Sequence, residues 1–593
     1  MRPPPRLSSD RATPKLIYPR DLAQRIEKRV SFLWSQAPVG QPELFDFELD
    51  GKIERIAGRS SAYKVLSRGQ HRWRVARIDA SGARQAWSRM HRVELVVPPT
   101  QPDNERTVLF DELVSRIRRR DAFAPVKWTK LGTDFERELR RLDLRNQFAL
   151  ANTDIALLRA LLKLSNARKD RHLVFDATSK YRRRRTHAPV RFYPDLADLK
   201  APLFFVGTLT KRAAAAGVRK RDLLVAVNGV PVDEYLRMLE PYVAYSTYRH
   251  MLVRHASRYL AAKNKAFGPE LYLPDEKVRY TLHSALSGRW YEVTFRYENP
   301  RNLSWREPPL LDWDREQEPR DAAHFEAMYR DLGFSQVFDN HRSCALYVDH
   351  ARRLALLEWY AFRDMRRSIT ELIRAAREER VLRYDLIVDA THSQGGRRSA
   401  LLVQVLAARP FKTTFSDLRV QDKEFVRSHL DRYSRQVQAW ANAAMSRGRA
   451  YTTRAPYKLE LLDVDDAGIM KPAKERFRGR KVALLFPLAG SSLDQFAAMI
   501  IDNPGLEIHT MGMPTGGFSK SWMWAQTIRL PRGRELAFKH SVGHTVRPNG
   551  ELLEGNPALP RRIVRFTRGN FGTYFRDLVV AARQHLLEKR SAP

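Results

Sequence analysis

The strongest constraint on the fold is a pair of separate apolar segments that each end in a turn of small residues. Residues 384–389 lead to Gly395 and Gly396. Residues 482–486 lead to Ser491, which precedes a predicted helix. Short apolar runs bounded by such turns are typical of buried strands in an α/β sheet. The first turn can offer backbone N–H donors, and the second can offer a hydroxyl at a helix N-terminus. Acyl transfer requires both parts.

The composition indicates a large globular protein. A chain of 593 residues is too long to fold around a single hydrophobic core, which predicts several domains. Of its residues, 43% are hydrophobic, as is typical of globular proteins. The single cysteine, Cys344, excludes an intrachain disulfide and is expected to be a buried thiol. No apolar run predicts a transmembrane segment, and no signal peptide is visible at the N-terminus. Metal-ligand spacings and nucleotide-binding loops are not found, so neither a metal nor a cofactor is expected.

The net charge of +38 raises the question of polyanionic partners. Arginine and lysine are spread along the whole chain, however, and the densest run, residues 182–185, falls in a predicted linker. No recognition helix, zinc-finger spacing or aromatic RNA-binding motif accompanies them. We therefore expect a basic, solvated surface and no nucleic-acid partner, with polyanion binding as the weakest alternative.

The N-terminal region is predicted to be a flexible arm over residues 1–24, followed by a β domain over residues 25–97. Residues 30–35 are predicted to be a strand with Trp34 in the core, and residues 72–79 alternate in polarity with period two. The run Trp-Arg-Val-Ala-Arg-Ile-Asp at 73–79, the following Ser-Gly turn and Trp87-Ser88 resemble a fibronectin type III domain. This resemblance implies a β-sandwich that acts as a spacer or adhesion module.

Three further units follow. Residues 105–190 are predicted to be a helical cap. Residues 200–240, with about residue 300 as the alternative limit, contain an Asn-Gly turn between two short strands and resemble a PDZ domain of the protease type, with Arg221 in place of the usual glycine. PDZ domains bind extended peptides by strand addition, and a purely structural insert is the alternative. Residues 340–590 are predicted to be an α/β core.

The order of these parts resembles the S41 serine peptidases, which include the C-terminal (tail-specific) processing and tricorn-like proteases. The motifs that carry the resemblance are Asp-Arg-His at 170–172, the PDZ-like insert, Asp389 to the Gly-Gly pair, and Pro-Thr-Gly-Gly at 514–517. The resemblance implies a multidomain fold: an N-terminal β-sandwich, a helical cap, a PDZ-like β-rich insert and an α/β (ClpP/crotonase-like) catalytic core.

The resemblance also implies roles for individual residues. Ser491 lies three positions before Asp494, as the family's nucleophile does. The backbone N–H groups of Ser492, Gly395 and Gly396 would form the oxyanion hole. The loop departs from the family pattern, because Thr391 and Ser393 replace its usual Arg and Asn.

The general base differs between branches of the family. The tail-specific branch uses a lysine soon after Pro-Thr-x-Gly, where this chain has Phe518, and Lys520 is the alternative base two positions later. The tricorn-like branch uses a histidine after the cap, which corresponds to His172, and a later carboxylate, which corresponds to Glu554. A neutral imidazole, with a typical pKa of ~6.5, can take the serine proton, and a buried carboxylate can fix its tautomer. Arg171 stands where tricorn-like members have a second serine.

Each of these residues also has a purely structural interpretation. Ser491 could cap the following helix, His172 could be a packing residue, and Glu554 could be a turn carboxylate. Asp389 is expected to hold the oxyanion loop, and His392 beside it to serve as a mutational control.

The resemblance favours an extracytoplasmic serine endopeptidase that acts on polypeptide substrates engaged by the PDZ-like domain. An inactive, peptide-binding relative is the alternative.

Overall fold

The computed structural model shows several sheets and helices arranged in multiple domains. It describes residues 16–18, 23–25, 29–34, 44–57, 61–67, 69–79, 81–95, 104–130, 132, 134–173, 186–246, 249–263, 277–299, 302–305, 322–432, 434–456, 464–487, 490–519, 522–530, 533 and 535–591. Lys520, the basic run 182–185 and most of the predicted arm lie outside these ranges.

The N-terminal region is a sandwich of two sheets around an aromatic core. One sheet contains Leu16–Tyr18, Arg29–Trp34 and Ser61–Val65, and the other contains Ala23–Arg25, Leu44–Leu49, Lys52–Ala57, Gly69–Ile78 and His91–Leu95. Phe32 from the first sheet packs against Phe47 and Trp73 from the second, with ring centroids 5.2 and 5.0 Å away. The predicted β-sandwich is therefore present, and its identity as a fibronectin type III domain stays a prediction.

A helical segment follows and ends in the turn that carries His172. Its helices are Glu105–Arg120, Ala124–Lys130, Phe135–Arg141, Leu144–Ala149 and Asp154–Asn166, and a 3₁₀ turn covers Arg171–Leu173. The Asn104 side chain caps the first helix and the Thr153 hydroxyl caps the last, because each accepts first-turn backbone N–H groups.

A further sheet, called the PDZ-like sheet below, occupies the region with PDZ-like sequence. Its strands are Val190–Asp195, Leu203–Leu209, Leu223–Val227, Val230–Pro231, Lys277–His283 and Trp290–Arg296, with helices Lys211–Ala215, Val232–Leu239 and Arg249–Leu260 and the 3₁₀ turn Glu240–Tyr242. The small pair Thr186–His187 and Ala262–Lys263 lies beside it. Since the sheet continues to Arg296, the wider of the two predicted limits fits it better. Asn228 and Gly229 have φ values of 53° and 82°, as the predicted tight turn requires.

The core is a seven-stranded sheet in the order Ser335–Asp339, Cys344–Asp349, Leu354–Trp359, Asp385–Asp389, Lys481–Leu485, Ile508–Gly512 and Arg562–Ile563. The first three strands pair antiparallel, and each later strand is parallel to its neighbour. Helices Met365–Glu378, Ala400–Leu406 and Ser492–Ile501 pack in the cluster on one face, and Ala322–Asp331 and Tyr574–Ser591 in the cluster on the other. Both faces are thus covered, and Cys344 is fully buried, as expected.

Smaller elements accompany the seven-stranded sheet. They are Ala361–Phe362, Gln394–Gly396, Phe411–Lys412, Phe415–Leu418, Ala455–Pro456, Ile469–Met470, Gly543–Val546, the hairpin Met523–Arg529 and Glu535–Ser541, helices Lys423–Arg427 and Arg435–Ser446, and the 3₁₀ turns Leu430–Arg432 and Pro504–Leu506. The Ala122 N–H donates to the Ser541 carbonyl at 2.6 Å, which docks the helical segment on the hairpin. None of the helices within the described ranges combines the length and apolar character needed to cross a membrane.

Candidate active site

Ser491 lies in a strained turn between a buried strand and a buried helix. The strand is Lys481–Leu485 and the helix is Ser492–Ile501. Ser491 has φ 65° and ψ −116°, a backbone conformation that costs a non-glycine residue on the order of 1–3 kcal/mol and that clusters at functional sites. Its side chain makes no capping hydrogen bond, so the interpretation of Ser491 as a helix cap is wrong.

The Gly-Gly turn meets this serine. A Cβ added to Gly395 would lie 3.0 Å from the Ser491 Cβ and 3.5 Å from its Oγ, so only hydrogen fits between them. A Cβ on Gly396 would overlap the Phe362 carbonyl. The two turns come together because residues 385–389 and 481–485 are neighbouring parallel strands, whose carboxyl ends share one edge of the sheet. The sequence-predicted nucleophile and oxyanion loop are therefore adjacent.

The loop that leads to the Gly-Gly pair is anchored by Asp389. The Asp389 carboxylate accepts hydrogen bonds from the Thr391 N–H at 2.9 Å, from the Thr391 hydroxyl at 2.5 Å and from the Tyr329 hydroxyl at 2.9 Å. Thr391, which departs from the family pattern, thus holds the loop through its own hydroxyl. His392 is buried between the rings of Phe325 and Phe575, at centroid distances of 3.9 and 4.4 Å. This packing gives His392 a structural role.

Asp494 positions a second loop beside Ser491. Its carboxylate accepts hydrogen bonds from the N–H groups of Gly517 at 2.9 Å and Phe518 at 3.3 Å. Complete burial raises the pKa of Asp494 to about 6, and hydrogen bonds from Thr515 and this loop oppose that shift. The acidic residue of the serine motif therefore acts by fixing the loop that contains Phe518.

Phe518 contacts both the predicted nucleophile and the predicted base. Its carbonyl accepts the Ser491 N–H at 2.8 Å, and its ring lies 5.0 Å from the His172 ring in an edge-on arrangement. An added Cβ on Gly490 would overlap the same ring, so Phe518 also packs directly against the serine turn. Phe518 therefore contacts both Ser491 and His172, which are far apart in sequence.

His172 lies in a cluster with two buried carboxylates. One side-chain atom from each of Asp170, His172 and Glu554 lies within 4.8 Å of the others, so the sequence-predicted pair of His172 and Glu554 is brought together. The Asp170 carboxylate also accepts the His172 backbone N–H at 2.9 Å, which fixes the turn. This spacing would suit a metal ion, but the Lys127 ammonium, 3.0 Å from Glu554, already supplies a positive charge there, and we assign no metal.

Glu554 receives two hydrogen bonds that the sequence did not predict. The Lys127 Nζ and the Ser246 Oγ each donate to its Oε1 atom at 3.0 Å. Burial raises the pKa of Glu554 to about 8, with Asp170 adding to the shift and Lys127 opposing it. Ser246 provides a hydroxyl next to the carboxylate although Arg171 occupies the position of the tricorn-like second serine. Neither Lys127 nor Ser246 belongs to a recognisable motif, so no local signal could have identified them.

The comparisons with known proteins agree with this geometry at the level of the fold. No protein-family model matches the chain, and no curated protein matches it in sequence. The chain shares its fold with mature CPAF, and the predicted resemblance is confirmed at the level of the fold. The structure of mature CPAF matches with a TM-score of 0.55 at 14% identity, over 81% of this chain and 98% of that one.

Two other solved structures match over similar lengths. Mature CPAF complexed with lactacystin has a TM-score of 0.54 at 14% identity, over 81% of this chain and 99% of that one. The photosystem II D1 C-terminal processing protease has a TM-score of 0.35 at 12% identity, over 78% of this chain and 94% of that one.

Proposed function

We propose that this protein is a serine endopeptidase of the S41 type, with Ser491 as nucleophile and His172 as general base. The observation that carries the proposal is the contact of Gly395 with Ser491, whose hydroxyl is held in a strained turn without a capping role. A side chain that only ended a helix would not need this conformation. The fold shared with mature CPAF supports the same conclusion.

The proposed reaction follows the chemistry of acyl transfer. The Ser491 Oγ attacks the peptide carbonyl while His172 takes the hydroxyl proton, and the backbone N–H groups of Gly395, Gly396 and Ser492 hold the oxyanion. His172 then gives its proton to the leaving amine, and the C–N bond breaks to leave an acyl-serine. A water molecule, deprotonated by His172, attacks this ester and releases the acid. Such preorganised donors typically contribute on the order of 10²–10³ in rate.

Glu554 would orient the imidazole and, in the ionised form that Lys127 favours, stabilise the charged form of His172. Its Oε1 atom is occupied by Lys127 and Ser246, and no hydrogen bond from a described residue reaches its buried Oε2 atom. A carboxylate oxygen in that situation can accept an imidazole N–H, which selects the tautomer whose other nitrogen faces the serine. A ring nitrogen of His172 lies within 4.8 Å of a carboxylate oxygen of Glu554.

Substrate engagement forms the second half of the proposal. We assign a polypeptide substrate and expect the PDZ-like sheet, residues 190–296, to add an extended segment of it as a further strand. The fibronectin-type assignment of residues 25–97 and an extracytoplasmic setting rest on the family resemblance alone and belong to the same proposal.

Labelling with a fluorophosphonate, followed by peptide mapping, tests the nucleophile. The label is expected on Ser491 in the wild type and should disappear in Ser491→Ala and His172→Ala. Ser434→Ala is the matched control, because the Ser434 hydroxyl does cap its helix by accepting the Val437 N–H, and this variant should label normally. Prior incubation with lactacystin, the ligand in one CPAF structure, provides a second probe of the same serine.

The other outcomes point to specific alternatives. A label that survives His172→Ala would redirect the search for the base to Lys520. A folded wild-type protein that takes no label would refute the peptidase proposal and favour a peptide-binding relative without catalysis.

A further inference from the structure

Lys127 is the least expected residue near the proposed catalytic centre. It lies in the middle of the short helix Ala124–Lys130, and its side chain is 2% exposed. Its Nζ contacts three acceptors: Glu554 Oε1 at 3.0 Å, the Lys169 carbonyl at 2.6 Å and the Arg168 carbonyl at 3.3 Å. An ammonium has three N–H donors, so its hydrogen-bonding capacity is filled. Burying such a charge is costly unless it is paired in this way.

The three acceptors connect two parts of the site. Arg168 and Lys169 directly precede the turn that carries Asp170 and His172. Lys169 has φ 52°, a left-handed conformation that is unfavourable for a residue with a side chain. Its carbonyl is held by Lys127, and its N–H donates to the Asn166 carbonyl at 2.9 Å. Lys127 therefore joins the strained backbone before His172 to the carboxylate of Glu554.

Lys127 also neutralises charge near Glu554. The charged and titratable groups around Glu554 include Lys127 from the helical segment and Asp170 and His172 from the following turn, and Ser246 adds a neutral hydroxyl. The buried ion pair of Arg168 and Asp121 also interacts with Asp170. Two buried carboxylates lie close together, and Lys127 supplies one compensating positive charge. Without it the carboxylates would repel one another and lose the orientation toward His172.

We propose that Lys127 is a positioning residue for catalysis, which acts through Glu554 and the 168–170 backbone to set the orientation of His172. This inference rests on the proposed function. It goes beyond that function because it assigns the orientation of His172 to a residue of the helix Ala124–Lys130 that takes no part in the proposed reaction steps.

A double-mutant cycle on fluorophosphonate labelling of the full chain tests the inference. Lys127→Met removes the charge and keeps an unbranched side chain, and we expect the labelling rate to fall by at least ~10-fold, the scale of a misplaced catalytic group. Glu554→Gln should slow labelling comparably. If Lys127 acts through Glu554, the double variant is no slower than the slower single variant. Lys127→Arg, which retains the charge, should label faster than Lys127→Met.

Lys163→Met is the matched control for the loss of a buried lysine. Lys163 is also buried in the helical segment, but it donates to the neutral Gln147 side chain at 3.1 Å and lies 4.9 Å from the Tyr242 ring. This variant should keep the wild-type labelling rate at temperatures where it is folded. Circular dichroism of every variant monitors the fold.

Three results would overturn the inference. The first is a folded Lys127→Met variant that labels like Lys163→Met, and the second is a double variant whose two losses multiply. The third is failure of both Lys127→Met and Lys127→Gln to fold, which would assign Lys127 to stability alone. An unlabelled wild type is a different result, because it refutes the proposed function itself.

Discussion

Gly395→Ala is the most direct test of the contact between the oxyanion loop and the serine. The backbone tolerates alanine here, because the φ of Gly395 lies outside the left-handed region. The new Cβ, however, would lie 3.0 Å from the Ser491 Cβ and 3.2 Å from the Gly490 carbonyl. Ordinary van der Waals contact begins near 3.4 Å, so the two turns must separate by about 0.4 Å, 3.4 minus 3.0.

That separation predicts a specific loss of reactivity. Productive sites hold their groups to within ~0.5 Å, and a displacement of about 1 Å can reduce the rate about 10²-fold. A shift of 0.4 Å should therefore slow fluorophosphonate labelling of Ser491 on the order of tenfold. The cost to stability should stay within about 1–3 kcal/mol, as for other overpacked sites, and is read from thermal unfolding.

Gly505→Ala is the matched control for this experiment. Gly505 lies in the turn Pro504–Leu506, its φ is also outside the left-handed region, and an added Cβ there meets nothing within 4 Å. It should leave both labelling and unfolding unchanged. If Gly395→Ala labelled at the wild-type rate while remaining folded, the proposed apposition of the two turns would be refuted.

The remaining predictions concern stability and metal dependence. Because the pKa of Asp494 is about 6 in the folded protein and near 3.8 when unfolded, its folded form binds the proton more tightly. Stability should therefore fall as the pH rises from about 4 to about 6, by roughly 3 kcal/mol, and change no further through this group above pH 6. Urea unfolding of Asp494→Asn should lack this slope, and an unchanged slope would contradict the assignment. Arg221 has φ 72°, so Arg221→Gly should relieve about 1 kcal/mol of strain and raise the melting temperature despite the loss of its 3.2 Å hydrogen bond to the Gly569 carbonyl. A lower melting temperature would mean that the lost contacts outweigh the strain. A chelator should not change labelling of Ser491, since Lys127 supplies the positive charge at the Asp170 cluster, and a chelator-sensitive rate would instead indicate a bound metal.

Much of the core could be predicted from local sequence. The buried strands predicted from the apolar runs 384–389 and 482–486 are found at Asp385–Asp389 and Lys481–Leu485. Each is a short apolar run bounded by turns, and the two are neighbours in the seven-stranded sheet. The Asn-Gly turn was equally clear, because its two positive φ values favour those residue types.

The domain limits, and the residues that pack around the candidate site, were less predictable from sequence. The PDZ-like sheet continues to Arg296 because Lys277–His283 pairs with Leu223–Val227, a pairing that sequence spacing does not specify. Phe518 was recognised only as a residue that cannot act as a base. Its contacts with Ser491 and His172 depend on the loop that Asp494 holds.

The sequence by itself determined the two strand-turn-helix segments, the serine and the glycines that meet there, and the histidine and carboxylate that complete the predicted set. These features are local, since each is carried by a few consecutive residues. Only the tertiary structure decided what surrounds them. Lys127 and Ser246 reach Glu554 across 427 and 308 residues of chain, and no periodicity or motif relates positions so far apart. The contact of Lys127 and Ser246 with Glu554 depends on how the helical segment, the PDZ-like sheet and the core pack together. A buried charge is stable only where packing also buries its partner.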